Sequence, residues 1–394
     1  MEHAAQEMVV LLILLLFVIV WDTVETVRWI PSSVVAVALG MIVAAWSGSN
    51  DTPFLFAPDL FLYLLLPTIL LNSSFKFSPE SLRRTWLSSM VFALVGTLLT
   101  IMLIAWGILT WTNMFNMKMT FVDALLIASL LAPTDTVATL TLSKSLDDKF
   151  IAEVMENEAV LNDAISVVLV RLFANMSERH QQLNRWVPLR AVGTSILFMC
   201  LSALVGFLSA KLVRRLHLKK PSIHFIVALI VYGCCEFVGI SGIVGLFTYG
   251  SLVKPPKIVS ETIENVSVII EAYVYLTLGL AVHTTSSIFL GQSFLILVSC
   301  VVSRVLVVFG LGGCLRCCGR EQWTVPSLLF FSLCGIRGAI SFAMCMGLMS
   351  EWRDFIQSTA FVVIVSTIIS MGTLQKCMHR LLLEPYKTRF QQVV

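Results

Sequence analysis

Apolar residues occur along the chain in thirteen runs of roughly 13 to 26 residues, separated by short polar stretches. A helix that crosses about 30 Å of hydrocarbon needs about 20 such residues, so each run is predicted to be a membrane-spanning helix. The predicted spans are 8–21, 31–46, 54–71, 87–111, 120–142, 154–174, 189–213, 223–239, 241–253, 263–283, 288–313, 324–349 and 355–375.

Two of these runs allow a second interpretation. The first has the length of a signal peptide's apolar segment, but no small-residue cleavage site follows it, so we interpret it as a span. The ninth is short and is joined to the eighth through Gly239 and Gly242, so these two runs are predicted to be separate spans or one bent hairpin.

Basic residues alternate between the loops that connect the runs. The loops after odd-numbered runs carry fifteen lysines and arginines, whereas the loops after even-numbered runs carry five, namely Lys118, Arg179, Arg185, Arg190 and Arg353. Because loops rich in lysine and arginine remain in the cytosol, we expect the odd loops and the C-terminus to be cytosolic. On this orientation Asn50 and Asn175, which both fit the N-glycosylation pattern, lie outside or in a lumen.

The composition agrees with a membrane protein and excludes several other classes. Of the 394 residues 57% are hydrophobic and 13% are charged, whereas about a quarter of a soluble domain is charged. We therefore predict one transmembrane domain over 1–383 and a short cytosolic tail over 384–394. The formal net charge of +3 is too small to indicate a nucleic-acid partner. We expect membrane lipid as the surroundings, no cofactor and no enzymatic activity.

Polar residues interrupt the fifth and sixth runs, where ionisable groups are costly and therefore indicate function. In the fifth run Pro133 and Asp135 flank Thr134, and a crossing unwound at the proline would form a cation site at Asp135. The alternative is a simple kink with a solvated aspartate. In the sixth run Glu158 is followed by Asp163, and a buried carboxylate that binds either a proton or a cation provides the minimal chemistry of an antiporter.

Two arginines lie within the eleventh and twelfth runs. Arg304 is at least nine residues from either end of its run, so it needs a carboxylate partner, and Glu158 is the natural candidate. Snorkelling to the surface is the alternative. Arg337 lies between Gly335 and Gly338, which predicts a second broken span in the other half of the chain, an arrangement that marks transporter binding sites.

These segments together resemble the sodium/proton exchangers of the cation/proton antiporter group, in the branch with an Asn-Asp pair. The likeness covers about 54–373 and is most specific at 158–164, Glu-Ala-Val-Leu-Asn-Asp-Ala, and at 335–342, Gly-Ile-Arg-Gly-Ala-Ile-Ser-Phe. It implies an all-α antiporter fold with inverted repeats, whose core helices lie at about 54–174 and 263–375. It also implies a homodimer that moves by alternating access.

The resemblance further implies roles for particular residues. Asp163 would bind the monovalent cation or the proton, and Asp135 and Thr134 would belong to the unwound part of the site. Asn162 and Glu158 would pair with Arg304. One sodium or potassium ion would exchange for one proton, without net charge movement.

Three positions depart from the family pattern. Thr136 stands where a proline is usual, Ala159 where a serine hydroxyl is common, and Asn72, a possible pathway residue, where relatives often carry an acid. The site has thereby lost one or two oxygen ligands, which bears on ion choice and affinity more than on the fold. These losses also leave open a receptor or scaffold that no longer transports, with a cation channel as the other alternative. The sequence is compatible with the plasma membrane and with endomembranes.

Overall fold

The computed structural model of the chain describes residues 32–47, 61–77, 79–135, 139, 148–178, 186–218, 220–281, 289–318, 323–335, 337–348 and 350–378. All regular structure within these residues is helical. The helices are α1 (Ser32–Ser47), α2 (Leu66–Lys76), α3 (Pro79–Met90), α4 (Thr97–Met114), α5 (Phe121–Leu131), α6 (Lys149–Glu178), α7 (Trp186–Arg215), α8 (Pro221–Val238), α9 (Gly242–Val253), α10 (Lys257–Leu280), α11 (Leu290–Cys317), α12 (Val325–Leu333), α13 (Ala339–Met346) and α14 (Arg353–Met378). A π-helical turn (Phe61–Leu65) precedes α2, and another (Val91–Gly96) joins α3 to α4.

The helices confirm the all-α membrane fold. Each predicted run from the second to the thirteenth overlaps a helix or, in the fifth and twelfth runs, an interrupted helix. The first run lies outside the described residues. Within the described ranges, seven helices are long and apolar enough to cross a membrane, and the other spans are shorter or broken. The protein is therefore a multi-pass integral membrane protein.

The eighth and ninth runs form two helices that pack against each other. Gly239 ends α8 with a φ of +82°, a left-handed conformation that glycine adopts without a steric penalty. Ser241 then caps α9, because its hydroxyl accepts a hydrogen bond from the Val244 amide at 3.4 Å. A tight turn thus makes a helical hairpin here, close to the bent form that the two glycines predicted.

Large apolar side chains cover the outside of the molecule. Phe237 is 93% exposed and Trp106 is 69% exposed. Such surfaces are unfavourable in water, where large apolar patches are rare, and they are the expected surface for contact with lipid tails.

The helices pack in two groups. The first bundle consists of α1, α2 and α7 to α10, and the second bundle consists of α3 to α6 and α11 to α14. The two bundles meet mainly where α13 approaches α10 and where α14 approaches α1. Two helices inside the predicted core ranges, α2 and α10, pack chiefly with the first bundle. Those ranges therefore include helices from both sides of the interface.

Candidate ion-binding site

Two short helices end inside the second bundle, and their ends form the centre of the site. Both begin at a threonine cap: the Thr120 hydroxyl accepts from the Asp123 amide at 3.2 Å, and the Thr324 hydroxyl accepts from the Ser327 amide at 3.3 Å. From these caps α5 and α12 continue for 11 and 9 residues, which is about half of a 30 Å hydrocarbon layer. The broken spans predicted around Asp135 and Arg337 are therefore present.

The two breaks contact each other directly. The Arg337 guanidinium, which is fully buried, donates hydrogen bonds to the carbonyl oxygens of Ala132 and Pro133. Helix α5 ends at Leu131, and an arginine satisfies these two carbonyls beyond its end. Arg337 thus binds the first break from within the second.

Gly338 permits the close crossing of the breaks. A Cβ atom placed on Gly338 would lie 3.0 Å from the Asp135 Cα atom. A larger residue would therefore push the two segments apart. This contact fixes Asp135 against the second break and orients its carboxylate into the space between the bundles.

A small cavity lined by buried side chains lies at this crossing. Its volume is about 20 Å³, which is enough for one water molecule or a species of that size. It is lined by Ile69, Pro133, Thr134, Asp135, Asp163, Glu271, Tyr275, Gly338, Ile340 and Ser341. The structure thus brings together Asp135, Asp163 and Thr134, which the sequence predicted as the ion site.

The charge of the cavity lining favours a cation. Three carboxylates line the cavity, and no lysine or arginine from the described part of the chain does so. Carboxylates that share a poorly solvated space repel one another unless a proton or a metal ion neutralises them. Such an arrangement concentrates positive charge at this point.

Two of the lining residues, Glu271 and Tyr275, were missed by sequence reasoning. Both belong to α10 of the first bundle and are less than one-tenth exposed. Glu271 accepts a hydrogen bond from the Ser267 hydroxyl at 2.8 Å, and the Tyr275 hydroxyl donates to the Asp135 carboxylate. The available signal was their spacing, because residues 267, 271 and 275 are four apart and share one helix face.

The predicted ion pair between Glu158 and Arg304 is formed beside the site. The Arg304 guanidinium donates to both carboxylate oxygens of Glu158, one of them at 2.9 Å, and the side chains are 7% and 4% exposed. The guanidinium also lies 5.0 Å from the centre of the Phe331 ring, a favourable cation–π distance. Arg304 therefore does not snorkel, and it links α11 to α6 inside the second bundle.

Asn162 does not join that pair. Its side-chain oxygen accepts a hydrogen bond from the Thr97 hydroxyl at 2.8 Å, so the expected pairing of Asn162 with Arg304 is wrong. Arg304 bonds to Glu158, and α4 supplies the donor that Asn162 accepts from. The amide therefore fixes α6 against α4, directly beside Asp163 in the chain.

The remaining sequence candidates lie near the cavity or outside the described residues. Asn72 and Ala159 are buried at 6% and 1% exposure, but neither lines the cavity. Asn175 is exposed near the C-terminal end of α6. Thr136 and Asn50 lie outside the described residues.

Crossed, discontinuous helices beside buried carboxylates are the arrangement found in secondary transporters. A family model described as "Sodium/hydrogen exchanger, transmembrane" matches residues 11–378, and the chain belongs to this family.

Individual relatives agree with this assignment. Sodium/hydrogen exchanger 8 of Mus musculus is 26% identical over 387 residues, covering 88% of this chain. Sodium/hydrogen exchanger 1 of Oryza sativa subsp. japonica is 25% identical, covering 93% of this chain and 77% of its own length. The chain spans just under two thirds of the exchanger 8 relatives, 66% of the mouse protein and 65% of the human one.

A solved structure has the same fold. The sodium proton antiporter MjNhaP1 from Methanocaldococcus jannaschii at pH 8 superposes with a TM-score of 0.70 and 17% sequence identity. The match covers 96% of this chain and 97% of the other. The two chains therefore share one architecture over nearly their whole length.

Proposed function

We propose that the protein is a secondary active transporter that exchanges a monovalent cation, sodium or potassium, for protons. The observation that carries this proposal is the water-sized cavity at the crossing of the two broken helices, which is lined by three buried carboxylates. The names of the sodium/hydrogen exchanger relatives support the same reaction class.

The chemistry follows from competition for a carboxylate. Asp163 is 1% exposed and lines the cavity, so its negative charge is poorly solvated unless a proton or a cation is bound. Asp135 and Thr134 line the same cavity and add further oxygens. Because a cation displaces a proton from one shared site, the expected exchange is one for one and moves no net charge.

The two bundles provide a route for alternating access. The cavity has α10 of the first bundle on one side and α5, α6 and α13 of the second bundle on the other. Movement of one bundle against the other would expose the site to each side of the membrane in turn.

The inferred assembly is a homodimer in the plasma membrane or an endomembrane, with the C-terminus in the cytosol.

Reconstitution into proteoliposomes tests the exchange. We expect that an inward sodium or potassium gradient drives protons out and raises the internal pH, and that an imposed membrane potential does not change the rate. Asp163→Asn should abolish this signal, because a neutral amide of the same shape cannot carry the proton. Asp354→Asn is the matched control, since Asp354 is exposed at the start of α14.

The same assay separates the competing functions. More than about a tenth of the wild-type rate in Asp163→Asn would remove Asp163 from the mechanism. Cation flux far faster than proton flux, and dependent on membrane potential, would indicate a channel. Correctly folded protein that moves neither ion would indicate a receptor or scaffold.

A further inference from the structure

The hydrogen bond from Tyr275 to Asp135 connects the two bundles at the cavity. Tyr275 is 3% exposed and lies on α10 of the first bundle, whereas Asp135 is 6% exposed and follows the break after α5 of the second bundle. Both residues line the cavity. A group fixed in one bundle therefore bonds to an acid of the proposed ion site in the other.

The strength of this bond depends on what occupies the acid. A phenol that donates to an ionised carboxylate forms a hydrogen bond roughly twice as strong as one between neutral groups. A proton on Asp135 removes that charge, and a bound cation competes with the phenol for the same oxygens. Either ligand weakens the link between the bundles.

An exchanger needs this behaviour. If an empty site crossed the membrane as readily as an occupied one, cations would leak without any return of protons. The bundle interface must therefore hold the empty state and release the occupied one. The bond from Tyr275 to Asp135 is strongest when Asp135 is ionised and no cation is bound, so it would hold the bundles together only while the site is empty.

We propose that Tyr275 is a positioning residue that couples occupancy of the site to movement of the bundles, by bonding Asp135 when the site is empty. The inference rests on the exchange function proposed above. It assigns to the Tyr275 hydroxyl a role in coupling rather than in ion binding. Its neighbour Glu271, four residues earlier on the same face, lines the cavity from the same helix.

The test uses Tyr275→Phe in the full chain, reconstituted in proteoliposomes loaded with radioactive sodium. Efflux is measured into alkaline medium that contains either sodium or a large impermeant cation, with the membrane potential clamped. In the wild type, external sodium should accelerate efflux several-fold, because the empty site returns slowly. In Tyr275→Phe this stimulation should fall towards one, through faster efflux into sodium-free medium.

A control variant and a second variant at the same position complete the design. Tyr273→Phe removes a hydroxyl from a half-buried tyrosine on the same helix that does not line the cavity, and it should keep the wild-type stimulation. Tyr275→Met also removes the hydroxyl and leaves both carboxylates of the ion site in place, so it carries the test if Tyr275→Phe does not fold.

Three outcomes have defined meanings. Wild-type stimulation retained in Tyr275→Phe would overturn the coupling role, as would complete loss of sodium flux in folded forms of both variants. An absence of any exchange in the wild type would instead refute the proposed function. The failure of the inference and the failure of the function are thus distinguishable.

Discussion

Breaking the Glu158–Arg304 pair should cost far more than deleting it whole. The two side chains are 7% and 4% exposed and share two hydrogen bonds. Removing one member of such a pair leaves a buried charge without its partner and typically destabilises a protein by about 3–5 kcal/mol. Replacing both members with apolar residues of similar volume is often close to neutral. We therefore expect Arg304→Met to lose about 3 kcal/mol or more, and Arg304→Met with Glu158→Leu to recover most of that loss.

The measurement is a double-mutant cycle on the unfolding free energy in detergent. The control cycle uses Lys254→Met and Glu80→Leu, because these paired side chains are 66% and 70% exposed, where an ion pair contributes about 0–1 kcal/mol. We expect a coupling energy of about 2 kcal/mol or more for the buried pair and much less for the control. Simple additivity at 158 and 304 would refute the pairing as an energetic unit.

Three further predictions concern the cavity and the topology. Glu271→Gln should raise the half-saturating sodium concentration several-fold, because it removes one charge from the cavity. Glu261→Gln, on the exposed face of the same helix, should leave that concentration unchanged. Equal half-saturating concentrations in the two variants would mean that Glu271 does not interact with the ion. Ala159→Ser should leave the apparent affinities for sodium and potassium unchanged, because Ala159 does not line the cavity; a several-fold tighter sodium affinity in transport assays would place position 159 at the ion. A glycosidase-sensitive glycan is expected on Asn175, and none on Asn265, which also fits the N-glycosylation pattern but lies within α10. The reverse pattern of gel shifts would invert the proposed orientation.

The fold was predictable because a chain segment in lipid must satisfy its own backbone hydrogen bonds, which makes apolar spans helical. Apolar runs of membrane length had to become helices, and the residues that interrupted these runs marked the two discontinuous spans. The partner of Arg304 was predictable for the same reason, since a charge at that depth requires an opposite charge. Glu158 is a buried acid inside a span, and its carboxylate lies against the Arg304 guanidinium in the structure.

The other partners could not be predicted, because they depend on how helices are rotated against each other. Asn162 shares a face with Glu158, yet its oxygen meets Thr97 because α4 passes closer than α11. Arg337 marked a broken span in the sequence, but nothing there indicated that its guanidinium binds the backbone carbonyls of the other break. Hydrophobic periodicity gives which residues share a face, but not which neighbour that face meets.

The two buried arginines and the acids of the cavity have different electrostatic roles. Arg304 neutralises a carboxylate of the second bundle, and Arg337 binds carbonyls at the break, so both hold the second bundle together. The cavity lining, by contrast, contains carboxylates from both bundles and no basic side chain among the described residues. Three carboxylates in one lining favour the entry of a cation or a proton. The exchange proposed above would use both features, a bundle held together by its buried arginines and an acidic cavity that attracts positive charge.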